Sequence, residues 1–66
     1  MSEEFNMTMR KFLKQVGVTS QQAIEEAMRS AGAASTKGKQ FDAKVVLTID
    51  GVGLQHVVEG KISGPE

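Results

Sequence analysis

The sequence predicts an α+β fold of order α-α-β-β, in which two short helices pack on a C-terminal antiparallel β-hairpin. Apolar residues recur with a helical period near the start of the chain, and a second helix signal follows a Gly-Val-Thr turn. Two alternating runs then flank Asp50-Gly51-Val52-Gly53, which is the pattern of a hairpin. The chain has 66 residues, so we expect a single small domain over residues 1–66.

The first helix is predicted over about residues 3–16. Its apolar residues recur at the spacing of one amphipathic face, and they are Phe5, Met9, Phe12, Leu13 and Val16. Gly17 stands where many helices end on a left-handed residue, and Val18 can then contact Leu13 as in a Schellman motif. We therefore expect this helix to end at Val16.

The second helix is predicted over about residues 20–31. Thr19 is a favourable N-cap and Gln22 follows at the spacing of a capping box. The inner stripe of this helix is narrow and consists largely of small side chains, so it buries little area. Residues 32–40 are small and polar and are expected to form a flexible connector, and residues 63–66 a frayed tail.

The register of the hairpin, predicted over residues 41–62, follows from its side-chain pairs. A four-residue loop over residues 50–53 places Ile49 opposite Leu54 on an inner face that is expected to pack on the helices. The same register brings opposite charges together and aligns apolar partners; its further pairs are Phe41 with Ile62, Val45 with Val58, Asp42 with Lys61, Lys44 with Glu59, and Val46 with Val57.

The short chain needs a further source of stability. Small domains are usually stabilised by disulfides, a metal or oligomerisation, and this chain has no cysteine and one histidine. We expect a homodimer in which two hairpins join edge to edge as a four-stranded sheet. The alternative is a marginally stable monomer. The candidate interface is the outer face of the hairpin, which carries Val46, Thr48, Gln55 and Val57.

The sequence offers no convincing site for chemistry. Gly51 and Gly53 lie between two strands, whereas a dinucleotide-binding loop joins a strand to a helix, so a hairpin turn is the better interpretation. His56 is expected on the inner face as a partly buried residue, and no recognisable motif places a nucleophile beside it. We expect no enzyme activity, no catalytic or metal-binding residues and no cofactor.

A nucleic-acid-binding module is the alternative function. The front half has the outline of a helix-turn-helix, and its candidate contacts are Arg10, Lys11, Lys14, Gln21 and Gln22. Glu25 and Glu26 on the would-be recognition helix would repel phosphate, and the formal net charge is zero. The chain begins without a basic signal sequence and has no apolar run of membrane-spanning length, so we expect a cytoplasmic protein without membrane contact.

Several short stretches of the chain resemble a family of small uncharacterised proteobacterial proteins, a domain of unknown function. These stretches are Phe5-Asn6, Arg10-Lys11-Phe12-Leu13-Lys14, Val16-Gly17-Val18-Thr19-Ser20-Gln21, Leu47-Thr48-Ile49-Asp50-Gly51, Gly53-Leu54 and His56-Val57-Val58-Glu59-Gly60. The resemblance implies two helices and a C-terminal hairpin, and no activity or ligand. Taken with the residues themselves, it predicts a small non-enzymatic cytoplasmic interaction or adaptor module that acts as a homodimer.

Overall fold

The predicted α+β class and the element order α-α-β-β are confirmed. The computed structural model describes residues 2–65, which form α1 (Glu3–Ala31), α2 (Ala33–Thr36), β1 (Gln40–Ile49) and β2 (Leu54–Ser63). The helix bounds differ from the prediction, because α1 contains both predicted helices and α2 lies in the predicted connector. The chain divides into two compact units, Met1–Ala31 and Gly32–Glu66, and the single domain stays a prediction.

The predicted break at Gly17 is wrong, because α1 continues through it. Positive φ angles occur at four glycines of the described chain, Gly32, Gly38, Gly51 and Gly53, and Gly17 is helical. Thr19, the predicted N-cap, instead donates its hydroxyl to the carbonyl of Gln15 at 2.8 Å, which is a bond of the helix interior. The local stop signal is overridden because the apolar period continues on its far side, and one interior glycine costs a helix only about 1 kcal/mol.

Capping and charge signals at both ends of α1 account for where the helix begins and ends. The hydroxyl of Ser2 accepts a hydrogen bond from the Phe5 amide at 3.0 Å, as an N-cap does. Glu3 and Glu4 lie in the first turn, where negative charge interacts favourably with the helix dipole. The helical path breaks at Gly32, whose φ of 87° favours glycine. The terminating glycine is therefore Gly32 and not Gly17.

The hairpin has the predicted register throughout. Ile49 pairs with Leu54 at the loop and Phe41 with Ile62 near the open end, and each strand extends one residue further than expected, to Gln40 and Ser63. Gly51 and Gly53 adopt φ angles of 92° and 66° in the four-residue loop. Glycine adopts such positive φ angles without steric cost because it has no Cβ. Side-chain pairing alone was therefore sufficient to fix the strand alignment.

The exposure of the hairpin differs from the prediction. Four residues of the inner face, Phe41, Ala43, Leu47 and Ile62, are half-buried. Val45 and Val58, on the same face, expose 47% and 52% of their surface. Within residues 2–65 no apolar side chain is fully buried, so neither unit has a hydrophobic core of its own.

The connector and the tail are more ordered than predicted, because they bond to each other. Thr36, at the end of α2, is 2% exposed and donates its hydroxyl to the Gly32 carbonyl at 3.1 Å. The Gly64 amide donates to the Lys39 carbonyl at 2.8 Å. A Cβ at Gly64 would lie 1.9 Å from the Thr36 carbonyl oxygen, so this junction needs a glycine. The end of the predicted tail, Glu66, and Met1 lie outside the described residues.

Candidate interaction surfaces

The outer face of the hairpin carries the four residues that the sequence marked as a candidate interface. Val46 lies opposite Val57 and Thr48 opposite Gln55, so the two pairs are neighbours along the strands. Val46 and Val57 expose 50% and 43% of their surface. The structure thus brings the four residues together as one exposed patch, and their role as an interface stays a prediction.

Charged pairs flank this patch at the open end of the hairpin. The Lys61 ammonium lies 2.6 Å from the Asp42 carboxylate, and both side chains are largely exposed, so the pair contributes little stability. Lys44 lies opposite Glu59 in the register. Around Ala43 and Gly60 the strands form an open depression.

The apolar stripe of α1 forms a second exposed surface. At about 100° per residue the stripe stays on one side of the helix through its full length; it consists of Phe5, Met9, Phe12, Leu13, Val16, Ser20, Ala23, Ile24, Ala27 and Ala31. Val16 and Ser20 are partly buried. Phe12 and Leu13 are more exposed, with 48% and 50% of their surface open to solvent. Sequence reasoning divided this surface at Gly17. The sequence signal for one continuous surface is the helical spacing of Val16, Ser20 and Ala23, which stays on one face across Gly17.

The five residues proposed to contact nucleic acid also lie on one side of α1, away from the stripe. All of them, Arg10, Lys11, Lys14, Gln21 and Gln22, are exposed. The helix-turn-helix that was expected to present them is wrong, because α1 is continuous and has no turn at residues 17–19. Glu25 projects from the same side of the helix, which weakens any attraction to phosphate. Nucleic-acid binding by this face stays a prediction.

Other candidate groups are exposed and dispersed. His56 lies opposite Leu47 as expected, but it is exposed and not partly buried. Among residues 2–65 no group of three or more His, Asp or Glu side chains is placed to hold a metal ion. In that same range neither helix is both long and apolar enough to cross a membrane.

Comparison with known protein families covers almost the whole chain. Residues 1–65 match the sequence profile of DUF6494, a family of unknown function. The chain belongs to this family. The match confirms the resemblance to an uncharacterised family with two helices and a C-terminal hairpin, while the proteobacterial source stays a prediction. No curated protein and no solved structure matches the chain.

Proposed function

We propose that this member of the DUF6494 family is a small non-enzymatic protein-interaction or adaptor module that acts in the cytoplasm as a homodimer. The observation that carries the proposal is that each unit, taken by itself, has a well-formed apolar face and buries no apolar side chain within the described residues 2–65. A chain of this size needs such faces covered to be stable in water, because apolar burial is the main favourable contribution to folding. A second copy supplies that cover.

The outer hairpin face is the proposed contact between the hairpins of the two copies. Val46 and Val57 provide its apolar centre, and the polar Thr48 and Gln55 border it. An apolar centre with a polar border is the usual anatomy of a protein interface. Pairing of strand edges is the other way in which two hairpins can join, and it would leave Val46 and Val57 uncovered.

Light scattering on the full chain and on Val57→Lys tests this proposal. The natural chain is expected to be a dimer, and the variant is expected to dissociate at least tenfold more readily, because two lysines per dimer would lose water at the interface. Val52→Lys is the matched control, since Val52 lies in the loop with 73% of its surface exposed. A natural chain that is monomeric and folded at all concentrations overturns the proposal. If Val57→Lys dimerises as tightly as Val52→Lys, the outer hairpin face is not the contact between the two copies.

A further inference from the structure

We propose that Asp50 is a site of spontaneous covalent modification, at which its carboxyl group and the Gly51 amide close a succinimide ring that reopens as isoaspartate. The site lies in the loop of the hairpin, and its reaction does not depend on the homodimer. Three features single it out: the order Asp50-Gly51, the open loop around this pair, and the different setting of Asp42, the second aspartate of the chain.

Asp50 and Gly51 stand in the order that ring closure requires. The backbone nitrogen of Gly51 bonds to Cγ of Asp50, and the carboxyl hydroxyl leaves with the amide hydrogen as water. Addition of water then breaks one of the two C–N bonds to the Gly51 nitrogen. Cleavage at Cγ restores aspartate, and cleavage at the original main-chain carbonyl carbon yields isoaspartate. Glycine favours closure because it has no Cβ to hinder the approach and rotates freely about φ and ψ.

The loop leaves this pair accessible. Gly51 adopts a φ of 92°, and among the described residues no atom lies within 4 Å of the position that a Cβ would take. Asp50 and Gly51 are both exposed, as is Val52 beside them. The pair lies beyond Ile49 and Leu54, the last pair of the register, so the ladder of the two strands does not fix the Gly51 amide.

The strands hold Asp42 in a different setting. Its carboxylate lies 2.6 Å from the Lys61 ammonium, in an ion pair that a succinimide would break. The residue that follows it is Ala43, within β1, whose Cβ crowds the nitrogen that would have to attack. Asp42 is as exposed as Asp50, so exposure alone does not separate the two sites.

The hydrogen bonds of the hairpin also restrain the Ala43 amide. The Gly64 amide donates to the Lys39 carbonyl, which continues the register by one pair beyond the strands. Hydrogen-bonded pairs alternate with non-hydrogen-bonded pairs along an antiparallel ladder, so Ala43 and Gly60 form a hydrogen-bonded pair. The nitrogen that would attack Asp42 is therefore tied to the neighbouring strand.

Isoaspartate at residue 50 would change the hairpin where its two strands join. The main chain would then run through Cβ and Cγ of residue 50, which adds one backbone atom to the four-residue loop between Ile49 and Leu54. Because loop length and turn type set the register of a hairpin, the modified chain is expected to lose strand pairing first at the loop end.

Ageing of the full natural chain at mildly acidic pH tests the proposal. The chain is digested at intervals and isoaspartate is located by peptide mapping, because an aspartate-specific endoprotease leaves an isoaspartyl bond uncut. Isoaspartate is expected to accumulate at residue 50 many-fold faster than at residue 42. Equal accumulation at the two sites, or none at residue 50, would overturn the proposal.

Two substitutions at the site supply matched controls. Asp50→Glu keeps the carboxylate but would need a six-membered ring, which closes far more slowly, so no isomer is expected in the loop peptide. Asp50→Asn closes the same five-membered ring with loss of ammonia, so the intact chain is expected to gain mass as asparagine becomes aspartate and isoaspartate. Isomer formation in Asp50→Glu, or an Asp50→Asn chain of constant mass, would contradict the assignment.

Ageing in urea separates the effect of the fold from that of the dipeptide. Unfolding releases Asp42 from Lys61 and Ala43 from the ladder, so the preference for residue 50 is expected to fall severalfold. Circular dichroism of each sample reports whether the chain is folded. A preference that is the same with and without urea would overturn the role assigned to the loop and the strands.

Discussion

At the residue scale, Gly64 is the one glycine of the described chain at which an added Cβ would meet other atoms within 4 Å. Its amide bonds to Lys39, and a Cβ there would lie 1.9 Å from the carbonyl oxygen of Thr36. Gly64→Ala is therefore expected to lower the free energy of unfolding by about 1–3 kcal/mol, the range seen when a side chain is forced into filled space. Urea unfolding followed by circular dichroism measures the effect.

Gly60→Ala is the matched control for that substitution. Gly60 lies in β2 with no atom within 4 Å of the position that a Cβ would take. Alanine there is expected to be neutral or slightly stabilising, because a strand glycine loses more chain entropy on folding. Equal effects of the two substitutions would mean that α2 and the chain after β2 are not in contact as described.

At the element scale, the substitution Gly17→Ala distinguishes a continuous α1 from two separate helices. Gly17 is helical with nothing within 4 Å of its Cβ position, so alanine is expected to raise stability by about 0.5–1 kcal/mol. The helical signal in circular dichroism and the urea midpoint should both increase.

Gly32→Ala is the comparison for Gly17→Ala, because Gly32 has a φ of 87° and closes the helix. Alanine at that angle is strained and is expected to destabilise. If Gly17→Ala were the destabilising change, the helix would end at Val16 and the continuous α1 would be wrong.

The hairpin and α1 also differ in how much of their structure could be predicted from their residues. The ten-residue strands were placed correctly because Asp42 with Lys61 and Val46 with Val57 satisfy only one register. The helix was divided because Gly17, Thr19 and Gln22 together form a complete stop and start signal. Such signals are worth about 1 kcal/mol each, and a 29-residue helix with an unbroken apolar period outweighs them.

At the scale of the whole molecule, the sequence identified the residues of the hairpin patch but not the surface on α1. Val46, Thr48, Gln55 and Val57 follow directly from the register, which is a local property. The stripe became visible as one surface only when α1 was known to be continuous. On our proposal a second copy covers these surfaces, and a single sequence carries no direct record of such a contact.

The central claim is that folding of this chain depends on a second copy. Thermal unfolding of the natural chain over a hundredfold range of protein concentration tests it most directly, because mass action raises the melting temperature of a dimer as its concentration rises. We predict a melting temperature that increases steadily with concentration, together with a single cooperative transition. A melting temperature that stays constant over that range, in a chain of monomeric mass, would contradict the claim.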